Sequence, residues 1–445
     1  MKQKLVLITS VLGILLCYSQ NATSQWVKTG VGEGISRHSV YSIVVSGETI
    51  FAGTDVTIDQ STDNGDHWTA DTNGLGGDHV SSLFIATSPL GTANIFAGGY
   101  HVTPRTSCIF LSTTNGSSWI PVMPDLADDS DMIVALGTNG STGLFLNIFA
   151  GTEGRGIFLS TDGGSVWMQT ITKNDLTNDT VRAFAQIDTN SISLFAGTNN
   201  TNGNGGVFLT TDNGSTWMRM SNGLPPANVH ALAVTGASTP TPILFAGTFG
   251  RGVYLSTNKG TSWNAANSGL PDGVAVLAMT VYSSGISTPI LFAGTYGNGV
   301  FLSTNNGTTW ISVNQGLTCD SVLSLALSDS YLFAGTNDSG VWRRPLSDFA
   351  ISAVSPIVSI SNSLTNYPNP FSQSTTITFS TSESGAAEVT IVNLLGSPVA
   401  RLFEGELDAG GHSFVWNKPT GLPVGMYECV VRLNGKVQQT PLILK

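Results

Sequence analysis

The chain has 445 residues, of which only 11% are charged, and its formal net charge at neutral pH is −11. This acidic balance, without a cluster of Lys or Arg, argues against a nucleic-acid partner. The 51 glycines, together with the lack of any long amphipathic pattern, predict short strands and tight turns rather than helices.

The N-terminus has the pattern of a secretory signal peptide. Lys2 and Lys4 precede an apolar run over residues 5–16, and small polar residues follow up to Ser24. A basic start, a short apolar run and small residues at the end are typical of such leaders. The sequence therefore predicts a signal peptide over residues 1–24 and no transmembrane segment in the mature chain, because the run is too short to span a bilayer.

A tetrapeptide repeats through most of the chain. Phe-Ala-Gly-Thr, or once Phe-Ala-Gly-Gly, begins at seven phenylalanines spaced 41 to 53 residues apart: Phe51, Phe96, Phe149, Phe195, Phe245, Phe292 and Phe333. Each period divides into four short apolar runs that are bounded by Gly, Asn, Asp or Pro, which is the pattern of strands and turns. Four strands in a period of roughly 40–50 residues predict the blades of a β-propeller.

The turn between the third and fourth runs of each period carries a second motif. Residues 160–167 have the pattern Ser/Thr-x-Asp-x-Gly-x-x-Trp, and five related copies lie at 61–68, 112–119, 210–217, 256–263 and 303–310. The Asp carboxylate is suited to accept backbone N–H groups of its own turn, and the Trp to bury its ring between sheets. The motif resembles the Asp-box of sialidase-like and sortilin-like propellers, which implies a structural turn and not sialidase activity.

The seventh period is incomplete. It has no such turn and no fourth run after residues 340–344, whereas residues 25–29, around Trp26, look like a fourth strand without its first three. Pairing of this N-terminal strand with the last blade would remove two open sheet edges. The predicted fold is therefore all-β, with a seven-bladed β-propeller over residues 25–346 that is closed by an N-terminal strand, followed by a linker over residues 347–365.

The segment 366–445 is a separate unit with a further resemblance. Its short alternating strands predict a small immunoglobulin-like β-sandwich. It resembles the C-terminal sorting domain, type A, of type IX secretion cargo, through these residues in particular: Asn366, Tyr367, Pro368, Asn369, Pro370, Phe371, Gly425, Tyr427 and Lys445. The resemblance implies recognition by the type IX machinery after export to the periplasm, and a secreted or outer-membrane cell-surface location.

Acidic residues recur before the first strand of several blades. Five of them lie two residues before the first Val or Ile of a predicted first strand: Asp78, Asp131, Asp179, Asp272 and Asp320. Five carboxylates around one axis are suited to a cation or a polar ligand. Asp is also a common turn residue that caps its own loop, and we favour this second interpretation.

The loops directly after the Thr of the tetrapeptide differ between blades and are expected to share a rim with these acids. Their candidate ligand-binding residues are Glu153, Arg155, Phe249, Arg251 and Tyr296. Exposed aromatic rings and guanidinium groups are suited to stack on sugars or peptides and to hydrogen-bond with them. Equally, Phe249 and Tyr296 are suited to pack against neighbouring turns.

The sequence contains no recognisable catalytic set. The predicted propeller has three glutamates, Glu33, Glu48 and Glu153. His67 is expected to be structural, and His230 to be pore-lining or packed rather than a ligand. The cysteines and histidines of the sequence do not have the spacing of zinc ligands, so no metal or cofactor is predicted. We expect a non-catalytic exported propeller that binds a protein, peptide or glycan at its rim.

Two alternatives remain open. One is an extracellular glycoside hydrolase of the Asp-box type, sialidase- or xyloglucanase-like, which needs two acids roughly 5–10 Å apart across a cleft. The other is an assembly factor, because photosystem II assembly propellers also resemble this repeat.

Overall fold

The computed structural model describes residues 25–445 except for 72, 76, 88–92, 103–104, 127–131, 140–145, 171–179, 188–191, 200–204, 237–241, 284–288, 350–363, 382–383, 394–397, 420 and 434–435. The predicted signal peptide and most of the predicted linker therefore lie outside the described residues. The chain divides into two units, Met1–Phe349 and Ala350–Lys445.

The described residues are almost entirely strands and turns. The helical segments among them are two 3₁₀ turns, Gly34–Arg37 and Leu346–Phe349. In this part of the chain no helix has the length and hydropathy needed to cross a bilayer. The prediction of an all-β chain is confirmed.

The described residues of the first unit form seven four-stranded antiparallel sheets. The strands of the first three sheets are as follows: sheet 1, β2 (Val40–Ser46), β3 (Thr49–Thr54), β4 (Ile58–Ser61) and β5 (Thr69–Asp71); sheet 2, β6 (His79–Thr87), β7 (Ala93–Val102), β8 (Arg105–Ser112) and β9 (Ile120–Leu126); sheet 3, β10 (Ile133–Thr138), β11 (Ile148–Thr152), β12 (Ile157–Ser160) and β13 (Met168–Gln169).

The next three sheets repeat this order. Their strands are as follows: sheet 4, β14 (Val181–Gln186), β15 (Leu194–Thr198), β16 (Val207–Thr210) and β17 (Met218–Arg219); sheet 5, β18 (Val229–Thr235), β19 (Ile243–Thr248), β20 (Gly252–Ser256) and β21 (Asn264–Ala265); sheet 6, β22 (Ala275–Tyr282), β23 (Ile290–Tyr296), β24 (Gly299–Ser303) and β25 (Ile311–Ser312).

Sheet 7 combines both ends of the unit. It contains β26 (Val322–Leu327), β27 (Tyr331–Thr336), β28 (Gly340–Pro345) and, as its fourth strand, β1 (Val27–Lys28). Val27 pairs with Arg343 and Lys28 with Trp342. This is the pairing that the sequence predicts for the N-terminal strand.

Trp26 repeats the contacts that the tryptophans of other sheets make. Its backbone N–H donates to the carbonyl oxygen of Gln315 (2.8 Å), as that of Trp310 donates to Ser268 (2.8 Å). Its indole N–H donates to the carbonyl oxygen of Val313 (2.7 Å), and the indole of Trp310 donates to that of Ala266 (2.8 Å). The N-terminal segment thus takes the place of a seventh fourth strand.

The phenylalanine of the repeated tetrapeptide forms the core between neighbouring sheets. All seven are at most 1% exposed. The ring of Phe195 in sheet 4 is covered by the turn of sheet 5, where a Cβ on Gly260 would lie 2.9 Å from its Cε1. Glycine is therefore required in that turn because a side chain would meet the ring.

The glycine and threonine of the tetrapeptide have equally structural roles. A Cβ on Gly247 would lie 2.7 Å from the Cγ1 of Val276 in the next sheet, so the missing side chain permits close packing of sheets. Thr248 is fully buried, and its hydroxyl donates to the carbonyl oxygen of Gly252 (2.7 Å) to hold the following loop. The repeated tetrapeptide therefore has a structural role.

The seven sheets form a closed ring. The first strand of each sheet contacts the first strand of the next, and β26 of sheet 7 contacts β2 of sheet 1. The same glycine contact is present at the closure, since a Cβ on Gly335 would lie 2.7 Å from the Cγ1 of Val40. The first strands therefore line the centre of the ring.

The turn before the fourth strand in sheets 1 to 6 has the chemistry that the sequence predicts. In sheet 3, the Ser160 hydroxyl donates to Asp162 Oδ1 (2.8 Å) and accepts the N–H of Gly164 (2.8 Å). Asp162 Oδ1 also accepts the N–H of Val166 (2.9 Å). Asn258 replaces the aspartate in sheet 5 and accepts the equivalent N–H of Ser262 (2.9 Å).

Sheet 7 lacks this turn, and a different residue covers the core there. The ring of Phe349, in the second 3₁₀ turn, lies 5.0 Å from that of Phe292 in an edge-on arrangement. Arg344 stacks on Phe349 at 4.8 Å and donates to Asp348 (3.3 Å). Phe349 therefore covers the ring of Phe292, as a turn glycine covers the corresponding phenylalanine in other sheets.

The second unit has two antiparallel sheets. One contains β29 (Thr365–Tyr367), β30 (Ser374–Thr381) and β33 (Gly410–Asn417); the other contains β32 (Pro398–Leu407), β31 (Gly385–Asn393), β34 (Gly425–Leu433) and β35 (Lys436–Leu444). They share one core, which includes Ile377, Val389, Trp416 and Val431. This unit therefore has a hydrophobic core of its own.

Candidate ligand site at the centre of the ring

Every first strand of the ring has an irregularity at the same place. In sheet 1, Val40 pairs with Thr54 and Ser42 with Gly53, so that Tyr41 lies in a β-bulge. A bulge redirects the side chain of the extra residue. The seven residues at this position are Tyr41, Ser81, Val134, Arg182, His230, Leu277 and Leu323.

These seven side chains line one cavity, which we call the central cavity. Its volume is about 350 Å³, and His79, Tyr100 and Met132 complete its lining. The surrounding scaffold repeats from sheet to sheet, whereas the bulged residue is aromatic, polar, basic or aliphatic in different sheets. The differences between the repeats therefore converge on this cavity.

The residues directly after the repeated Thr, or after Gly99 in sheet 2, lie at the ends of the second strands. They are Asp55, Tyr100, Glu153, Asn199, Phe249, Tyr296 and Asn337. The backbone N–H of Glu153 donates to the carbonyl oxygen of Met132 (3.0 Å), and that of Phe249 to Asn228 (2.9 Å). These bonds join the loops after the second strands to the segments before the first strands, so the two sets of loops share one rim.

Arg182 is the cation of the central cavity. Its Nη2 donates to Glu153 Oε1 (3.1 Å) and its Nε to Asn199 Oδ1 (2.9 Å). Glu153 was predicted as a rim residue, and it and Asn199 follow the repeated Thr in sheets 3 and 4. The rim thus orients the guanidinium group in the cavity.

His230 lies beside Arg182 and under a rim aromatic. Its ring is 5.5 Å from that of Phe249, which is 49% exposed. Burial, with a smaller contribution from the charge of Arg182, lowers the pKa of His230 to about 4. The imidazole is therefore neutral at physiological pH and retains one donor and one acceptor nitrogen.

An aromatic stack forms the part of the cavity contributed by sheets 1 and 2. The ring of His79 lies between those of Tyr41 (4.6 Å) and Tyr100 (4.7 Å), nearly parallel to the second. Burial raises the pKa of Tyr41, which keeps its phenol protonated. The stack offers a flat, rigid wall with polar edges.

Two of the predicted rim acids are found in different settings. Asp78 is 3% exposed and its Oδ1 lies 2.7 Å from Nδ1 of His101, which is in the next loop. Asp320 is exposed, and its backbone carbonyl accepts the N–H of Gly299 (2.8 Å). Asp131 and Asp179 lie outside the described residues.

The placement of Asp272 in this set is wrong. The strand register pairs Val276 with Thr295 in sheet 6, as it pairs Val40 with Thr54 in sheet 1. The residue two positions before Val276 is the buried Val274, not Asp272, which lies exposed in the preceding turn. Two additional residues between turn and strand shift the aspartate out of the predicted ring of acids.

The remaining rim candidates lie on the loops outside the central cavity. Tyr296 is 55% exposed, Arg251 is exposed and Arg155 is half-buried. Their loops are fixed by amide side chains from the fourth-strand side, since Asn267 donates to the carbonyl oxygen of Arg251 (3.2 Å) and Gln169 to that of Arg155 (2.7 Å). Of the predicted rim residues, Glu153 and Phe249 therefore contact cavity side chains.

Sequence reasoning missed most of the cavity. Tyr41, His79, Tyr100 and Arg182 were not selected, and His230 was expected to be packed or pore-lining, which is where it lies. The available signal was the residue between the Val or Ile that starts each first strand and the small residue that follows, because its neighbours in the strand repeat whereas this position changes its chemical character from sheet to sheet.

The described residues contain no group of three or more His, Cys, Asp and Glu side chains that is arranged to hold a metal ion. The acidic groups near the rim instead contact basic groups: Glu153 with Arg182, and Asp55 with His38 (2.9 Å). The site as described is suited to recognition by stacking, hydrogen bonds and one guanidinium group.

The predicted sorting residues of the second unit converge on the chain end. The backbone N–H of Phe371 donates to the carbonyl oxygen of Ile443 (2.9 Å), and that of Lys445 donates to Phe371 (2.7 Å). The side chain of Asn369 accepts the N–H of Ile443 (2.8 Å). Residues at both ends of this unit are thus joined by backbone bonds.

The other members of that set divide between core and surface. Phe371 is 2% exposed and its ring lies 5.4 Å from Trp416, which in turn lies 5.8 Å from Tyr427. Tyr367 is 82% exposed. The side chain of Asn366 donates to Thr375 Oγ1, and that hydroxyl donates to the carbonyl oxygen of Pro368. The Tyr367–Pro368 and Asn369–Pro370 peptide bonds are cis. Gly425 pairs with Leu444 in the second sheet of this unit.

Sequence comparison finds no protein-family model that matches the chain and no curated protein that matches it. Solved structures do match. The GH74 xyloglucanase from Xanthomonas campestris is 14% identical, with a TM-score of 0.57 over 80% of this chain and 59% of that enzyme. The chain thus spans about three fifths of the xyloglucanase.

Two smaller proteins are matched over nearly their whole length. YCF48 from Cyanidioschyzon merolae is 12% identical, with a TM-score of 0.50 over 72% of this chain and 98% of YCF48. A catalytically inactive virginiamycin B lyase from Staphylococcus aureus, solved with quinupristin, is 12% identical, with a TM-score of 0.54 over 72% and 99%. These neighbours are β-propellers, and the likeness at this identity establishes a β-propeller fold and nothing finer.

Proposed function

We propose that the chain is an exported, non-catalytic, seven-bladed propeller with Asp-box turns, which binds a protein, peptide or glycan at its loop rim. In this proposal the seven sheets are the blades and β1 closes the ring. The hairpin bonds of Ser160, Asp162 and Gly164 support the assignment of the turns. The contacts of Trp26 support the assignment of the closing strand.

One observation carries the binding function. The residues directly after the repeated Thr differ between the sheets and lie at one rim. They include Phe249 and Tyr296, which are about half exposed, and the exposed Arg251 follows on the same loop as Phe249. Exposed aromatic rings beside arginines supply contact area and directed hydrogen bonds at small entropic cost. A rigid scaffold with variable loops is the usual arrangement of a binding protein.

Glycan and peptide arrays probed with the full chain test this proposal. Binding is expected, and Tyr296→Ala should weaken it at least tenfold, whereas Ile311→Ala should not. Ile311 is a matched control because it is an equally exposed apolar residue of the same sheet, at 59%, but on the fourth strand. Equal binding by both variants would place the ligand away from the rim.

Hydrolysis is the second candidate, and it makes a contrary prediction. A glycoside hydrolase needs two carboxyl groups that face one bond. Glu153 and Asp78 are instead each in contact with a basic group, Arg182 and His101, which favours an orienting role for both acids. Turnover of xyloglucan or of a sialoside that is lost in Glu153→Gln would overturn the binding proposal.

We infer that residues 366–445 form an immunoglobulin-like sandwich that is recognised by the type IX machinery, after a signal peptide at residues 1–24 has directed export. The convergence of Asn369, Phe371 and Lys445 on one place supports a single recognition surface. In a bacterium with this machinery, Tyr367→Ala, which changes a side chain that is 82% exposed, is expected to retain the protein in the periplasm. Glu404→Gln, an exposed change in the same unit, should be exported normally; retention of both would count against the inference.

A further inference from the structure

The central cavity has walls of different chemistry. Passing around the ring, sheets 4 and 5 contribute Arg182 and His230, and sheets 6 and 7 contribute Leu277 and Leu323. The scaffold around the cavity repeats its Phe, Gly and Thr from sheet to sheet, whereas the residues that line the cavity do not repeat. This separation of polar from aliphatic side chains matches a ligand that is itself polar at one end.

The polar end has an unused donor. Of the three guanidinium nitrogens of Arg182, Nε and Nη2 are bonded to Asn199 and Glu153, whereas Nη1 has no hydrogen-bond partner within the described residues. The side chain of Arg182 is 27% exposed, so it remains accessible from the cavity. The neutral imidazole of His230 faces the same space and supplies a further N–H.

The charge of this end suits a monoanion. Glu153 offsets part of the positive charge of Arg182, since its Oε1 lies 3.1 Å from Nη2. A guanidinium group pairs well with a planar carboxylate because their geometries match. A phosphate dianion would bring more negative charge next to Glu153 than one arginine can balance.

The rest of the cavity suits an apolar or aromatic body. Leu277 and Leu323 supply an aliphatic wall, and the stacked rings of His79 and Tyr100 supply a flat one. Small-molecule sites have volumes of roughly 300–1,000 Å³, so a cavity of about 350 Å³ accepts one small organic molecule. An aliphatic wall offers no partners for the hydroxyl groups of a sugar.

We propose that the central cavity binds a small organic acid with an aromatic or branched aliphatic body, whose carboxylate contacts Arg182 and His230 and whose body lies against Leu277 and Leu323. This site is distinct from the exposed rim at Tyr296. The proposal goes beyond rim binding and does not depend on it.

Calorimetric titration of the full chain tests this site. The probes are phenylacetate, 3-phenylpropanoate and 4-methylpentanoate, with 3-phenylpropanamide as the neutral match of the second. At least one acid is expected to bind saturably, and 3-phenylpropanoate at least tenfold more tightly than its amide. Equal affinity for acid and amide, or no saturable binding by any of the three acids, would overturn the proposal.

Variants at Arg182 and Leu277 locate the binding. Arg182→Gln should remove the preference for acid over amide, whereas Arg182→Lys should retain part of it, and Leu277→Trp should abolish binding by filling the cavity. Circular dichroism and melting temperature establish that each variant is folded. Tyr296→Ala should leave binding of the acid unchanged, even if it abolishes binding of an array ligand at the rim. The two proposals can therefore fail independently of each other. Unchanged affinity in folded Leu277→Trp would place the acid elsewhere.

Discussion

Asp59 is the residue that departs most from its counterparts. It lies on the third strand of sheet 1, in a position that is aromatic in the other six sheets: Phe110, Phe158, Phe208, Tyr254, Phe301 and Trp342. It is 4% exposed, and its Oδ2 has no hydrogen-bond partner within the described residues. Burial raises its pKa to about 6, with His38 acting in the opposite direction and Glu33 and Asp55 adding to the rise.

The raised pKa of Asp59 makes the stability of the ring depend on pH. Because its pKa rises from 3.8 to about 6 on folding, the folded state holds the proton more tightly, and stability falls as pH rises through that interval. The loss is complete above the folded pKa and amounts to about 3 kcal/mol. Asp59→Asn should therefore raise the free energy of unfolding at about pH 7.5 by up to about 3 kcal/mol.

Chemical denaturation at two pH values measures this effect. At about pH 4 the wild-type carboxyl is already largely protonated in the folded state, so the gain from Asp59→Asn should nearly vanish. Asp63→Asn is a control with the opposite sign, because a bond from the His67 backbone lowers the pKa of Asp63 to about 2 and its stabilising effect is present above 3.8. A gain from Asp59→Asn that is the same at both pH values would contradict the assignment.

At the same scale, the sequence showed which residues repeat but not where the variable ones meet. The Phe, Gly and Thr of the tetrapeptide are predictable as scaffold because their burial recurs. Arg182 and His230 each lie in a bulge of a different first strand, and a bulge adds one residue to a strand without changing its apolar pattern. Asp272 was misplaced for a related reason. The residue of sheet 6 that pairs with the repeated Thr is Val276, two residues after Val274, and the sequence before the strand does not show this shift.

The hairpin turn between third and fourth strands is the element that the sequence describes best. Ser160 is fully buried and is the only acceptor shown for the N–H of Gly164 among the described residues. Ser160→Ala should cost about 1–2 kcal/mol, since a buried donor loses its partner. Asp162→Asn should cost less than about 0.5 kcal/mol, because sheets 5 and 6 use Asn258 and Asn305 at this place. Urea denaturation of both variants compares them, and a larger loss for Asp162→Asn would show that the carboxylate charge is essential.

Turns of this kind are predictable because their chemistry is local. All hydrogen bonds of the Ser160 turn join residues at most four positions apart. The association of Glu153 with Arg182, in contrast, joins two sheets across 29 residues. Nothing in either sequence segment marks its partner, so the candidate site needed the structure.

Closure of the ring is a property of the whole first unit. Trp26 is 2% exposed and repeats the bonds of Trp310, so Trp26→Ala should destabilise the unit by about 3–5 kcal/mol. Val27→Ala is the matched control, since Val27 is 48% exposed and its loss should cost less than about 0.5 kcal/mol. Thermal unfolding distinguishes them; equal, small losses would mean that the N-terminal strand contributes little to the ring.

Two separate cores imply two unfolding events. Trp26 belongs to the first unit, and Phe371 is 2% exposed in the core of the second. Scanning calorimetry should show that Phe371→Ala lowers one transition and Trp26→Ala the other, because each unit has its own cooperative core. A single transition that both variants lower equally would show that the two units unfold together.

The closing strand also determines where the ring opens. β1 contributes two residue pairs, Val27 with Arg343 and Lys28 with Trp342, and one side-chain bond from Thr29 to Val341 across 312 residues. Hydrogen exchange reports such local openings, which expose individual amides without global unfolding. The backbone N–H of Thr29, bonded to Val341, should exchange with solvent deuterium before the amides of β27 in the same sheet. Local opening of the ring is therefore expected first where β1 pairs with β28.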